Sequence, residues 1–237
     1  MDIEKILDYY PIEFGEHSID SVLHRMFAES NNFHEVFCNP PGGAWTNFDL
    51  IHPKSKEIYR WDHIPRYTPN YVKLPDQVVQ NINHELLELI FIESKKKLRD
   101  LDSRIGRKMI DFFNGSGQFS GISQRPSWHK LTKEGWKVLP EKCKKEERYW
   151  LKNFNKKLFW KAFAFSHKDE ISDLKISDKL DLVLEKSDVD IAIYITWGEV
   201  KKLPNVYIKC ADKIKKSSIW SALSHLEANC NSNIVIL

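Results

Sequence analysis

Two apolar strands separated by a polar turn, each with an acid at its mouth, constrain this chain more than any other stretch. The first runs from Pro75-Asp76 through Gln77, Val78, Val79 and Gln80. The second runs from Leu86 to Ile92 and closes on Glu93-Ser94-Lys95. Side chains alternate along a strand, so Glu93 and Lys95 project from one face with Leu89 and Phe91, and Ile90 and Ile92 from the other. A strand that is apolar on both faces is buried on both faces. The carboxylate of Glu93 therefore emerges from a rigid support, which fixes its position.

Periodicity places other elements around this unit. Ile19, Val22, Leu23, Met26 and Phe27 follow helical spacing and predict a helix over 18–30, with Ser18 as its N-cap. Residues 44–51 and 57–61 read as strands, and 76–81 and 86–94 as the two motif strands. A helix is expected over 96–113, with Leu98, Leu101, Ile105, Met109 and Phe113 as its buried stripe. Residues 115–145 are basic and loop-rich. Strands near 158–165, 189–196, 206–210 and 234–237 then alternate with helices near 172–186 and 217–228. That order predicts an α/β fold with a mixed central β-sheet flanked by helices. One domain over 1–237 is expected, its core near 18–114 and 157–237, with 115–156 inserted.

Composition narrows the function classes only modestly. Over 237 residues, 42% are hydrophobic, enough for a substantial core. The formal net charge of +3 neither demands nor excludes a polyanionic partner, so clustering matters more than the sum. Lysines bunch at 95–97, 142–145, 156–157 and 213–216, and 8 Trp supply more aromatic surface than a core alone needs. The 4 cysteines are scattered, with no CxxC pair, which suits reduced thiols and a cytoplasmic setting. No apolar run approaches the ~18 residues of a membrane span. The 9 histidines form no HxH or HExxH pattern, and Gly115-Ser-Gly117 lacks the lysine of a phosphate-binding loop.

Asp76, Glu93 and Lys95 form the constellation that carries chemistry. Cleaving a phosphodiester needs an activated water and charge neutralisation on the departing oxygen, both of which a divalent metal supplies. Magnesium prefers oxygen ligands and keeps several waters, so two carboxylates and a carbonyl suffice. Asp76, Glu93 and the carbonyl of Ser94 are the expected ligands, with Lys95 near the attacking water as an orienting or proton-accepting group. Lys96 and Lys97 start the expected helix against its macrodipole, a local conflict that a nearby polyanion resolves. Arg60 and Arg66, and the segment carrying Arg125, Trp128, His129 and Lys130, are candidate DNA contacts.

These residues resemble the PD-(D/E)xK nuclease superfamily, and in size and style the type II restriction endonucleases. The resemblance rests on Pro75, Asp76, Glu93 and Lys95, with the apolar strand before Glu93 and the helix after it. It implies a restriction-endonuclease-like core and a magnesium-dependent, sequence-specific endonuclease acting on double-stranded DNA as a homodimer, beside a cognate DNA methyltransferase. It also implies that the 115–156 insertion contacts DNA, and that a helix ahead of the core can add an acid; Glu29 is the candidate. Two alternatives stand beside it: a repair, recombination or phage-defence nuclease of the same fold, and a non-catalytic DNA-binding module. A second Glu-x-Lys, Glu199-Val200-Lys201 with Asp190 upstream, sits between a Gly and a Pro and reads as a loop.

Overall fold

The computed structural model describes residues 16–38, 47–62, 75–95, 98, 127–138, 158–167, 173–196, 204–229 and 233–237. They form eleven strands and four helices: α1 (Glu16–Ala28), β1 (Phe33–Cys38), β2 (Asn47–Ile51), β3 (Ile58–Asp62), β4 (Gln77–Asn81), β5 (Glu88–Lys95), β6 (Ser127–Thr132), β7 (Gly135–Val138), β8 (Leu158–His167), α2 (Asp173–Lys186), β9 (Ile191–Thr196), β10 (Asn205–Cys210), α3 (Asp212–Lys215), α4 (Ser218–Asn229) and β11 (Asn233–Ile236). Seven strands make one mixed sheet in the order β1-β4-β5-β8-β9-β10-β11. The expected mixed α/β architecture is therefore present. The helix expected over 96–113 lies outside the described residues, apart from Leu98.

The motif strands are interior strands of this sheet, second and third in its order. β4 pairs antiparallel with β1 on one side and with β5 on the other, and β5 continues parallel to β8 and then β9. Alternation divides β5 as the sequence requires. Ile90 and Ile92 face a layer made by Ile19, Leu23, Met26 and Phe27 of α1 and Ile219, Leu223 and Leu226 of α4. Leu89 and Phe91 face the opposite, aromatic layer. There Phe91 meets Phe159 at 5.6 Å and Phe165 meets Tyr194 at 4.9 Å between ring centroids. Lys209 of β10 reaches Ser177 and Asp181 of α2, which places α2 over that second face. Burial on both faces stabilises each of these side chains by roughly 2 kcal/mol.

One polar side chain is locked into the core at the entry of β5. Glu88 is fully buried. Asn81 Nδ2 donates to its Oε2 at 2.7 Å and Trp160 Nε1 to its Oε1 at 2.8 Å, while Ser218 Oγ lies 2.9 Å from both oxygens. Ser218 opens α4, so the carboxylate also meets the positive end of that helix. A buried charge held by three donors joins β4, β5, β8 and α4 at one point.

The second sheet is antiparallel, in the order β2-β3-β6-β7. Within the stretch expected to be loop-rich, 115–145, the described residues 127–138 form a hairpin that turns at 133–134 into Gly135, whose φ of 108° suits a residue without a Cβ. Gln80 joins the sheets. Its buried side chain accepts a hydrogen bond from the Ile51 N–H at 2.9 Å and donates to the Ile51 carbonyl at 2.6 Å. The carboxamide thus offers β2 the donor–acceptor pair that a neighbouring strand would offer. No helix among the described residues is long and apolar enough to cross a membrane.

Candidate active site

Antiparallel register brings the acids together. Gln77 pairs with Ile92, so Asp76, one residue before β4, comes level with Glu93 near the end of β5. Asp76 Oδ2 accepts a hydrogen bond from the Ser94 backbone N–H at 2.6 Å, which ties the two strand ends. Lys95 follows on the Glu93 face. Its Nζ lies 2.8 Å from Glu93 Oε1 and 3.9 Å from Asp76 Oδ2, and donates to the Ser94 carbonyl at 2.8 Å. Each of the three side chains keeps about a fifth of its surface exposed, so the group opens to solvent from a firm base.

The electrostatics are those of crowded acids. Burial, and then the charge of Glu93, push the Asp76 carboxyl up to about 7. The Ser94 N–H and Lys95 pull the other way, and Asp20 pushes it further up. Asp20 belongs to the first turns of α1 and is 5% exposed. Its backbone carbonyl accepts a 2.6 Å hydrogen bond from Gln77 Nε2, docking the helix beside β4. Asp20 is therefore the helix acid whose charge reaches the site, and sequence reading passed over it. The signal was present: Asp20, Leu23 and Phe27 share one helical stripe, so an acid occupies a core-facing position. Glu29, the expected extra acid, does not join the group. It lies beyond the end of α1, exposed, and pairs with Arg25 at 2.8 Å.

The donor set suits a hard cation. Two carboxylates and one carbonyl, all oxygen, already converge on a single positive group, the Lys95 ammonium. Among the described residues no three His, Cys, Asp or Glu side chains cluster closely enough to hold a metal by themselves. The Ser94 carbonyl and water would complete the shell, as magnesium tolerates.

The remaining expected residues divide. Arg66, Lys96, Lys97 and Arg125 lie outside the described residues. Trp128 and His129 lie on β6 opposite Trp61 and Arg60. Arg60 donates from Nε and Nη2 to the two oxygens of Asp49, each at 2.8 Å, and lies 4.1 Å over the Trp136 ring. Lys130 pairs with Glu57 at 2.6 Å, and that contact, with the Tyr59 hydroxyl, draws the Glu57 carboxyl down to about 2. Beside them the β6–β7 hairpin exposes Leu131, Trp136 and Val138. Asp190 of the second Glu-x-Lys is a buried structural acid that accepts the Lys161 N–H at 2.8 Å and pairs with Lys213. Glu199 and Lys201 lie outside the described residues. Comparisons of the chain with family models, with curated proteins and with solved structures return no match.

Proposed function

We propose that this chain is a magnesium-dependent endonuclease that hydrolyses phosphodiester bonds in double-stranded DNA, with a restriction-endonuclease-like core. The observation that carries the reading is the convergence of Asp76, Glu93 and the Ser94 carbonyl on one cation at a solvent-open strand end. When bound there, magnesium supplies an activated water and neutralises charge on the departing oxygen. Asp76 and Glu93 would hold it, the Ser94 carbonyl would add a third oxygen, and the charge of Asp20 would reinforce the negative field. Lys95 orients the attacking water or takes its proton, and offers positive charge to the phosphorane. The second sheet, joined to β4 through Gln80, presents Arg60, Lys130 and Trp136 as the surface that meets the duplex. Cutting both strands of a palindromic site takes two such centres related by a two-fold, hence a homodimer.

Incubating mixed plasmid and genomic DNA with the protein and Mg²⁺, then sequencing the ends, tests this. Cleavage that a chelator abolishes, with discrete ends sharing one sequence, is expected. A smear or a preference for branched substrates would move the protein to the repair, recombination or phage-defence class. A gel shift without cleavage, unchanged by Mg²⁺ or Mn²⁺, would leave only a DNA-binding module.

A further inference from the structure

Three protein oxygens belong to the proposed magnesium shell; the ammonium of Lys95 contacts two of them and lies near the third. Nζ is 2.8 Å from Glu93 Oε1, 2.8 Å from the Ser94 carbonyl and 3.9 Å from Asp76 Oδ2. Glu93, Ser94 and Lys95 are consecutive on β5, so the tether is short. Asp76 is held level with them by its bond to the Ser94 N–H. An ammonium is a compact, strongly hydrated point charge, and the oxygens that satisfy it are those that satisfy a hard dication.

Taking the magnesium reading above as its basis, we infer that Lys95 is the resting occupant of the metal position. It is an internal counter-cation that a divalent ion must displace before the site can work. Two cations cannot both hold Glu93 and the Ser94 carbonyl at contact distance beside Asp76, because their repulsion is of the same order as the attraction each gains. Metal entry therefore releases the amine from the Ser94 carbonyl and from Glu93. The freed side chain stays tethered beside the ion, where an amine is useful to the attacking water. The lysine has two successive roles: it neutralises the acids when the site is empty and serves the reaction when it is loaded. The weaker the ion's hold, the more the resting state is favoured, so the site loads fully only at metal concentrations well above those a bare diacid would need.

The test is Mn²⁺ binding to the whole chain without DNA, followed by calorimetry and by the paramagnetic signal of the ion. Lys95→Met keeps the length of the side chain and removes its charge. It should bind Mn²⁺ at least tenfold more tightly than the unaltered protein, while Lys95→Arg stays within about threefold of it. Adding Asp76→Asn to Lys95→Met should erase the gain, which places the effect at this site. Equal or weaker binding by Lys95→Met, or no binding by it at all, overturns the inference, and so does a gain that survives the added Asp76→Asn. Melting curves of each variant confirm that the fold is kept. Tighter binding by Lys95→Met in a protein that never cuts DNA would uphold the competition and sink only the nuclease reading.

Discussion

β5 carries a carboxylate near each end, and the two are treated in opposite ways. Glu88 is fully buried, yet three neutral donors from Asn81, Trp160 and Ser218 satisfy it, with no acid among those contacts. Glu93 is partly exposed, faces a second carboxylate and shares a single ammonium with it. Five residues separate them, so alternation also puts them on opposite faces of the sheet. Burial alone thus does not mark a functional acid. A carboxylate surrounded by fixed neutral dipoles is a structural joint. Carboxylates left facing one another, open to solvent and short of positive charge, are set up to receive a cation.

Substitutions at the two ends should separate these roles. The largest effect is expected on cleavage: if the proposed function holds, Glu93→Gln should lower Mg²⁺-dependent cutting by about a thousandfold or more, because one proposed metal ligand and its charge are lost, with a melting temperature close to that of the parent. Glu88→Ala should do the reverse. Orphaning the donors of buried Asn81 and half-buried Trp160 and Ser218 costs about 3 kcal/mol, read as a lower denaturation midpoint, while any cleavage by the protein that remains folded is unchanged. If Glu88→Ala lost cleavage without losing stability, the distinction would fail.

Smaller effects follow from titration. Asp76 has its folded-state value raised to about 7, so the native state holds a proton that the unfolded chain releases. Its contribution is therefore favourable in acid and is lost as pH rises through about 7. Asp76→Asn keeps an acceptor for the Ser94 N–H and removes the charge. Urea unfolding should show this variant roughly 2 kcal/mol more stable than the parent at pH 8 and equal to it at pH 4. His24 on α1 is raised by its hydrogen bond to Glu35, despite an opposing effect of burial. Its stabilisation is present below the unfolded value and is lost as pH rises through the folded one. More than half of the ring is exposed. His24→Gln should consequently remove only about a few tenths of a kcal/mol at pH 6 and nothing measurable at pH 8.

Strong local signals made the centre of the fold legible. The unbroken apolar runs at 89–92 and 191–195 offer no charged residue that a helix could turn to water, and they lie in β5 and β9. Asp76 and Glu93 could be paired because a short turn between antiparallel strands dictates which ends meet. Local pattern failed where long-range contacts decide. β1 was missed because Phe33–Cys38 mixes His34 and Glu35 with its apolar residues, and it exists by pairing with β4. The β6–β7 hairpin carries lysines on strands that are ordered by β3, about seventy residues earlier. Asp20 went unnoticed because helical phase marks it as a core position without naming the neighbour. That neighbour, Asp76, is brought to it only by the docking of α1 through Gln77.

Gln80 carries a consequence for how such a molecule can change. Gln80 holds the second sheet's edge strand by main-chain atoms at Ile51 alone, and Lys56 of the same unit reaches back to the Ile82 carbonyl. Contacts made to backbone atoms tolerate a change of side chains on the four-stranded unit without retuning Asp76, four residues before Gln80. Grafting experiments that preserve this socket should change the outer surface of the unit and leave the arrangement of Asp76, Glu93 and Lys95 as it is.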